Sequence, residues 1–341
     1  MPSSKLIVDY DILKSRYDTI RRSGKQIMPM VKGNGYGLGA YVLSQFYHEL
    51  GAPFVGVSHG EEAVKLREAG YKAPIFVLSC LDAAAVFEYD LTVALNSYAQ
   101  FLALQEEGKR RKKTIAVHLQ IDTGLNRLGF TLPEAAELPS SPWIEIEGIM
   151  SHYKRNDKEQ GELFEQVFKR VGQLRWIHME SSNSLDTLPF CNLVRVGAAL
   201  FTSAVTLKSH IIALRNCGAN ERVGYREGQQ LTRPTKLATI PIGYHDGLHL
   251  YSSGKGYVKI RGQKAPYVGN IYMDFLVVDV TDIPHILVGD EVEIFGPQIS
   301  LEEVASWSNT NIRQLLCCIG PRVEREYVRQ SVGAQQTHCA L

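Results

Sequence analysis

Short runs rich in Val, Ile, Leu and Phe recur through the first two thirds of the chain. They lie at 26–32, 53–58, 74–79, 91–96, 114–121, 146–151, 175–180 and 193–196, each bounded by turn or polar residues. Runs of this length and content read as buried strands. Amphipathic stretches lie between them. Residues 60–70 (GEEAVKLREAG) form one, closed by a glycine suited to a helix C-terminus. Residues 157–174 form another, with Phe164, Phe168 and Val171 at helical spacing, and a brief helix is expected over 132–138. Alternating strands and helices argue a parallel sheet, and eight such units predict an α/β fold with an N-terminal (β/α)8 TIM-like barrel, placed over residues 1–206. The span is short for such a barrel, so several helices must be brief.

Past about Val205 the helical pattern fades. Apolar runs at 236–242, 256–260, 276–280 and 291–294 alternate with glycines at 243, 247, 254, 262, 269 and 289. This predicts a C-terminal, mostly β domain over 207–331, followed by a tail at 332–341.

Composition narrows the partners. Of 341 residues, 45% are hydrophobic and 21% charged, with net charge +1, so no polyanion and no nucleic acid is implied. The basic run Lys109–Lys113 reads as a solvated loop between helix and strand. The six cysteines (Cys80, Cys191, Cys217, Cys317, Cys318, Cys339) show no CxxC or paired spacing and read as free thiols of a reducing compartment. No apolar run reaches the ~18 residues of a membrane span, and the first residues lack the apolar core of a signal peptide. A cytoplasmic protein is expected, with no membrane partner.

A (β/α) barrel carries its chemistry at the C-terminal ends of its strands. Lys32, the loop from Asp122 to Arg127, His152, Ser181 with Ser182, and Arg195 with Gly197 all fall there. Lys32 closes an apolar run and is followed by GNGYGLG. A lysine partly desolvated by a barrel interior loses its proton more readily, and a neutral amine can form a Schiff base with a carbonyl cofactor. The same segment also fits a snorkelling lysine over a glycine-rich turn. Arg127, in HLQIDTGLNRLGF, suits a carboxylate or phenolate oxygen, or a salt bridge with Asp122. Arg195, in LVRVGAALF, is an arginine in an apolar strand and requires partners, of which His152 is one. VGYREG, PIGYHDG and VGNIYMDF each set an aromatic among glycines, which fits a turn with a packed tyrosine equally well. There is no HExxH, GxSxG or P-loop motif and no zinc spacing, so no metal is expected.

VKGNGYGLG, IDTGLNRLGF, GIMSHY, HMESSNS, LVRVGAALF, RVGY, IPIGYHDGL and VGNIYMD together resemble the segments of the alanine racemase family, in the family's order, from about Leu6 to Tyr327. The resemblance implies pyridoxal 5'-phosphate as cofactor, a small amino acid as substrate, and a head-to-tail homodimer with shared active sites. It implies that Lys32 carries the cofactor. Tyr36, Ser182, Gly197 and Ala198 would hold its phosphate, where backbone N–H donors suit an anion. Arg195 would face the ring nitrogen, and His152 would contact Arg195 and Tyr225. Arg127 would contact the phenolic oxygen and the substrate carboxylate. Tyr225, Tyr244, Met273 and Asp274 would come from the neighbouring chain. Lys32 and Tyr225 would be the two catalytic bases, one for each face of the substrate.

This sequence departs from the family at several positions. Gln120 stands where many members have a carbamylated lysine; it would orient Arg127 only through amide hydrogen bonds. Pro321 stands where many have a phosphate-binding tyrosine. Tyr272 is larger than the usual residue, and the segment before Tyr225 is shortened. These bear on selectivity more than on reaction type.

The implied reaction is the interconversion of L- and D-alanine, supplying D-alanine for peptidoglycan. Arginine does not readily give a proton to the ring nitrogen, which disfavours side reactions such as transamination. A phenol is a weak base near neutrality unless cations lie near it; the His152–Arg195 pair would supply that field. The alternatives are a broader racemase acting on serine or lysine, a barrel decarboxylase or D-amino-acid lyase with the same cofactor, and a non-catalytic cofactor-binding protein. Arg195 argues against the decarboxylase, whose relatives place a glutamate at the ring nitrogen, and the β domain argues against the binding protein.

Overall fold

A computed structural model describes residues 4–80, 82–154, 157–171, 174–182, 184–185, 187–225 and 228–329. Cys339, the 332–341 tail and the side chain of Val171 lie outside the described residues. The chain divides into two compact units: Lys14–Leu200, and a second that joins the residues up to Leu13 to those from Phe201.

The first strand, β1 (Lys5–Asp9), belongs to the second unit. Eight parallel strands of the first unit follow: β2 (Gln26–Pro29), β3 (Val55–His59), β4 (Ile75–Ser79), β5 (Thr92–Leu95), β6 (Ile115–Gln120), β7 (Ile144–Met150), β8 (Trp176–His178) and β9 (Leu193–Val196). Strands β3 to β8 pair in chain order, and β2 pairs with β9. Bridges from Met30 to Gly56 and from Ser181 to Arg195 join the two sets and close the ring. All eight runs expected as strands occur in the barrel. They are legible as continuous apolar runs because parallel strands are buried on both faces.

The expected helices form with shifted ends. One spans Gly60–Glu68 and stops as Gly70 turns to φ 98°. Another spans Lys158–Val171, with Phe164 buried and Asp157 accepting from the Gln160 N–H at 3.0 Å. The brief one is Leu132–Ala136, closed at its start by a Thr131–Glu134 capping box. Only the end of the basic run, Lys112 and Lys113, lies in the loop before β6. Lys109, Arg110 and Arg111 form the last turn of the helix Tyr98–Arg111, where cations meet the negative end of the helix dipole, and Glu107 pairs with Arg110 and Arg111.

The second unit holds β10 (Val205–His210), β11 (Ala213–Cys217), β12 (Arg222–Val223), β13 (Gln229–Gln230), β14 (Thr235–Ile240), β15 (Tyr257–Ile260), β16 (Gln263–Pro266), β17 (Leu276–Asp279), β18 (Glu291–Phe295) and β19 (Glu324–Val328). Its main sheet runs β16-β15-β18-β10-β1-β19, and a smaller one runs β11-β14-β17. Strand β1 lies within the span assigned to the barrel from sequence; hydrogen bonding corrects this. It pairs antiparallel with β10 and parallel with β19. Its five residues alternate, with Leu6 and Val8 fully buried, the pattern of a strand with one buried face. Among the described residues no helix is long and apolar enough to cross a membrane.

Candidate active site

Strand β2 stops at Pro29, earlier than its sequence suggests, and Lys32 opens a turn beyond it rather than ending the strand. Gly33, Asn34, Gly35 and Tyr36 then take φ of 61, 52, 65 and 56°. Four successive left-handed residues are costly for any but glycine, so this turn is held from outside. The Gly33 N–H donates to Glu62 Oε1 at 2.6 Å, and Asn34 Oδ1 accepts from the Ala40 N–H at 3.0 Å. The turn carries the Tyr36 hydroxyl to the end of β9. A Cβ added at Gly197 would lie 2.2 Å from Tyr36 Oη. The Gly197 N–H donates to Ser182 Oγ at 3.1 Å, and Ala198 begins the short helix Ala198–Phe201. Two hydroxyls and a backbone N–H thus converge on a space that only glycine leaves open.

Arg195 sits on β9, 4% exposed. Its terminal nitrogens donate to His178 Nδ1 at 2.5 Å, the His178 carbonyl at 3.2 Å, the Ser151 carbonyl at 2.6 Å, the Met179 carbonyl at 3.3 Å and His152 Nδ1 at 3.4 Å. Its Nε–H has no acceptor among the described residues. Burial lowers the guanidinium to about 10, so it stays charged at neutrality. The contact with His152 is the one expected from sequence. Burial, then the charges of Arg195, Arg127 and Lys32, push His152 down to about 3. His152 is therefore neutral, and the cationic field attributed to a His152–Arg195 pair comes from Arg195. Three cations bear on one imidazole, a setting that favours a bound anion.

Sequence reasoning missed His178 and His118. Both are fully buried, and burial holds both below the usual histidine range. An unfolded histidine takes up a proton below about pH 6.5, and these native ones, with His152, take one up less readily. Their folded values are depressed, so the unfolded state binds more protons and stability falls as pH drops from about 6.5 toward 3. The melting temperature is expected to decline across that window. His152→Gln should flatten the decline by an amount on the order of 1–3 kcal/mol by pH 4. A melting profile that superimposes on the wild type would reject the assignment.

Arg127 lies exposed on the loop after β6. Asp122 forms no ion pair with it. Asp122 Oδ1 instead accepts the N–H groups of Gly124, Leu125 and Asn126 at 2.9, 2.9 and 3.1 Å. Gln120 Nε2 donates to the Leu128 carbonyl at 2.8 Å, and its Oε1 is buried without a partner. Gln120 thus braces the loop carrying Arg127 rather than the guanidinium itself.

The remaining candidates lie in the second unit. Tyr225, on the turn between β12 and β13, is 76% exposed, and its ring meets Tyr272 edge-on at 5.2 Å. The Tyr244 N–H donates to the Tyr272 carbonyl at 2.9 Å, and the His245 N–H to the Met273 carbonyl at 3.0 Å. Arg322, which sequence reasoning did not single out, locks these loops. Its Nε and Nη2 grip Asp246 at 2.9 and 3.0 Å, and its Nη1 reaches Asp274 at 2.6 Å. Only folding brings Asp246, Asp274 and Arg322 together.

The models of the alanine racemase N-terminal and C-terminal domains match residues 8–204 and 204–327. The alanine racemase of Thermodesulfovibrio yellowstonii is 30% identical, over 95% of this chain and 96% of its own. That of Halothermothrix orenii is 31% identical, over 94% and 95%. The crystal structure of alanine racemase from Bartonella henselae with covalently bound pyridoxal phosphate is 28% identical, covers 96% of this chain and 100% of its own, and superposes with a TM-score of 0.88. With both domain models matched end to end, and relatives of this identity spanning nearly the full length, the chain belongs to the alanine racemase family.

Proposed function

We propose that this protein is a pyridoxal-phosphate-dependent racemase that interconverts L- and D-alanine, works in the cytoplasm as a homodimer with shared sites, and supplies D-alanine for peptidoglycan. One observation carries the reading. Lys32, the cradle of Tyr36, Ser182 and Gly197, and an Arg195 with its Nε–H unclaimed among the described residues all belong to the C-terminal ends of barrel strands. The group fits that set. Its aldehyde suits the Lys32 amine, its phosphate suits hydroxyls and N–H groups beside a helix start, and its ring nitrogen suits an arginine donor.

Bound pyridoxal phosphate supplies the electron sink that lets the α-proton of an amino acid leave. The protein supplies the rest. Arg195 keeps its own proton and offers only a hydrogen bond, which limits how strongly electrons are drawn away. Arg127 neutralises the substrate carboxylate. Lys32 moves the α-proton on one face, and Tyr225 of the partner subunit moves it on the other. A neutral His152 accepts from Arg195 at Nδ1, leaving Nε2–H free to steady the phenolic oxygen of Tyr225 of the partner subunit. The 76% exposure of Tyr225, beside half-exposed Tyr244 and Met273, supports a surface that meets another chain.

Circular dichroism of reactions over a panel of single enantiomers tests the activity, with L- and D-alanine expected fastest. Pro321, which offers no hydroxyl, favours the broader reading, in which serine or lysine turns over at a similar rate. No change of chirality with any amino acid would reject both. Mixing Lys32→Ala with Tyr225→Phe chains tests the shared site. A mixed dimer holds one intact site, so free exchange should restore about a quarter of the sites. No recovery, with exchange shown to occur, would reject sharing.

A further inference from the structure

Arg195 is a buried cation with no carboxylate within ion-pair distance among the described residues; its acceptors are carbonyls and imidazoles. Burying a charge this way is costly unless its hydrogen bonds are fully and firmly made. Followed outward, those bonds pass through two rings, and the second ring faces a carboxylate. Arg195 Nη1 lies 2.5 Å from His178 Nδ1, His178 Nε2 lies 2.7 Å from His118 Nδ1, and His118 Nε2 lies 3.4 Å from Glu147 Oε1. Both rings are fully buried. The column is built into the barrel core. Phe76 packs on both rings, at 4.7 and 5.5 Å between centroids, and a Cβ at Gly148 would strike the His118 ring at 2.8 Å.

The chemistry of the donors leaves one arrangement. Arginine only donates, so His178 Nδ1 accepts. A neutral His178 then carries its proton on Nε2 and donates to His118 Nδ1. His118 in turn carries its proton on Nε2, directed at Glu147. That last contact, at 3.4 Å, is within ion-pair distance but is not a formed hydrogen bond, and Nε2 of the buried His118 ring has no hydrogen-bond partner among the described residues, so Glu147 is the acceptor within reach. Glu147 also lies 4.0 Å from Arg175.

We infer that Glu147 is a positioning residue: through His118 and His178 it ends a one-way hydrogen-bonded column that fixes both tautomers and holds the Arg195 guanidinium in place. Chains of this kind polarise one another, so the anion strengthens the bond at the far end. The link from Arg195 to a bound cofactor rests on the function proposed above; the column itself does not.

The test uses nitrogen-15 spectra of the full chain labelled at histidine, together with the rate and affinity of pyridoxal phosphate binding. In the wild type both His118 and His178 should carry a proton on Nε2 alone. Glu147→Gln still offers an oxygen to His118 and should keep both tautomers, with cofactor affinity within about twofold. Glu147→Leu removes the acceptor. It should convert His118 to mixed tautomers and weaken the cofactor about tenfold, the scale of one buried hydrogen bond. A wild-type proton on Nδ1 of either ring overturns the column. So does Glu147→Leu protein that keeps the wild-type shifts and affinity. If Glu147→Leu does not fold, the wild-type and Glu147→Gln spectra decide. If the wild type binds no cofactor, the proposed function fails, and the tautomers alone decide the column.

Discussion

Lys32→Ala protein is expected to purify without the visible colour of a lysine-bound cofactor and to racemise at a rate lower by at least 10³-fold or so. Two losses coincide at this residue. The covalent tether disappears, and so does the base for one face of the substrate, which by itself is worth about 10²–10⁴-fold. The cradle of Tyr36, Ser182 and Gly197 is untouched by the change, so added pyridoxal phosphate should still bind, reversibly. In the wild type, borohydride should trap the cofactor on the peptide containing Lys32. A label recovered on another lysine, such as the buried Lys25 that pairs with Glu180, would move the site.

Tyr225→Ala should retain its cofactor, because Lys32 remains, and should lose racemisation by about 10²–10⁴-fold. The more telling result lies in heavy water. With one base left, exchange of the α-proton should survive for one enantiomer and vanish for the other. The two enantiomers have equal energy in achiral solvent, so both net rates must fall together and only exchange reveals the asymmetry. Equal loss of exchange from both enantiomers would point to a single mobile base.

The barrel was legible because most of its strand residues are buried and so appear as short apolar runs. The strand ends were less so. MPMVK reads as one run, yet the strand stops at Pro29, because the glycines beyond Lys32 bend the chain into a left-handed turn that hydrophobicity does not report. Strands β1 and β19 were unreadable for another reason: five half-buried residues carry little signal, and each is stabilised by a partner some 300 residues away. His118 and His178 are 60 residues apart, each a lone polar residue near an apolar run, and only the pairing of β6 and β8 on either side of β7 brings their ring nitrogens to 2.7 Å. Lys32, Arg127, His152 and Arg195 stood out from strand-end position. The part given to Tyr225 came from family likeness, since an exposed tyrosine between glycines has no signature of its own.

The placement of β1 has a consequence for how the molecule is made. It precedes every other described strand in the chain, yet its two neighbours, β10 and β19, follow about 200 and 320 residues later. Lys14–Leu200 can close its ring while synthesis continues, since none of its strands needs anything downstream. Strand β1 must therefore wait for about 200 residues of chain before β10 can pair with it and about 320 before β19 can, with Leu6 and Val8 open to solvent at first. Unsatisfied strand edges of this kind are where nascent chains misassociate. One edge of β1 is thus closed by β10 and the other only by β19, so the strand keeps an open edge through most of synthesis.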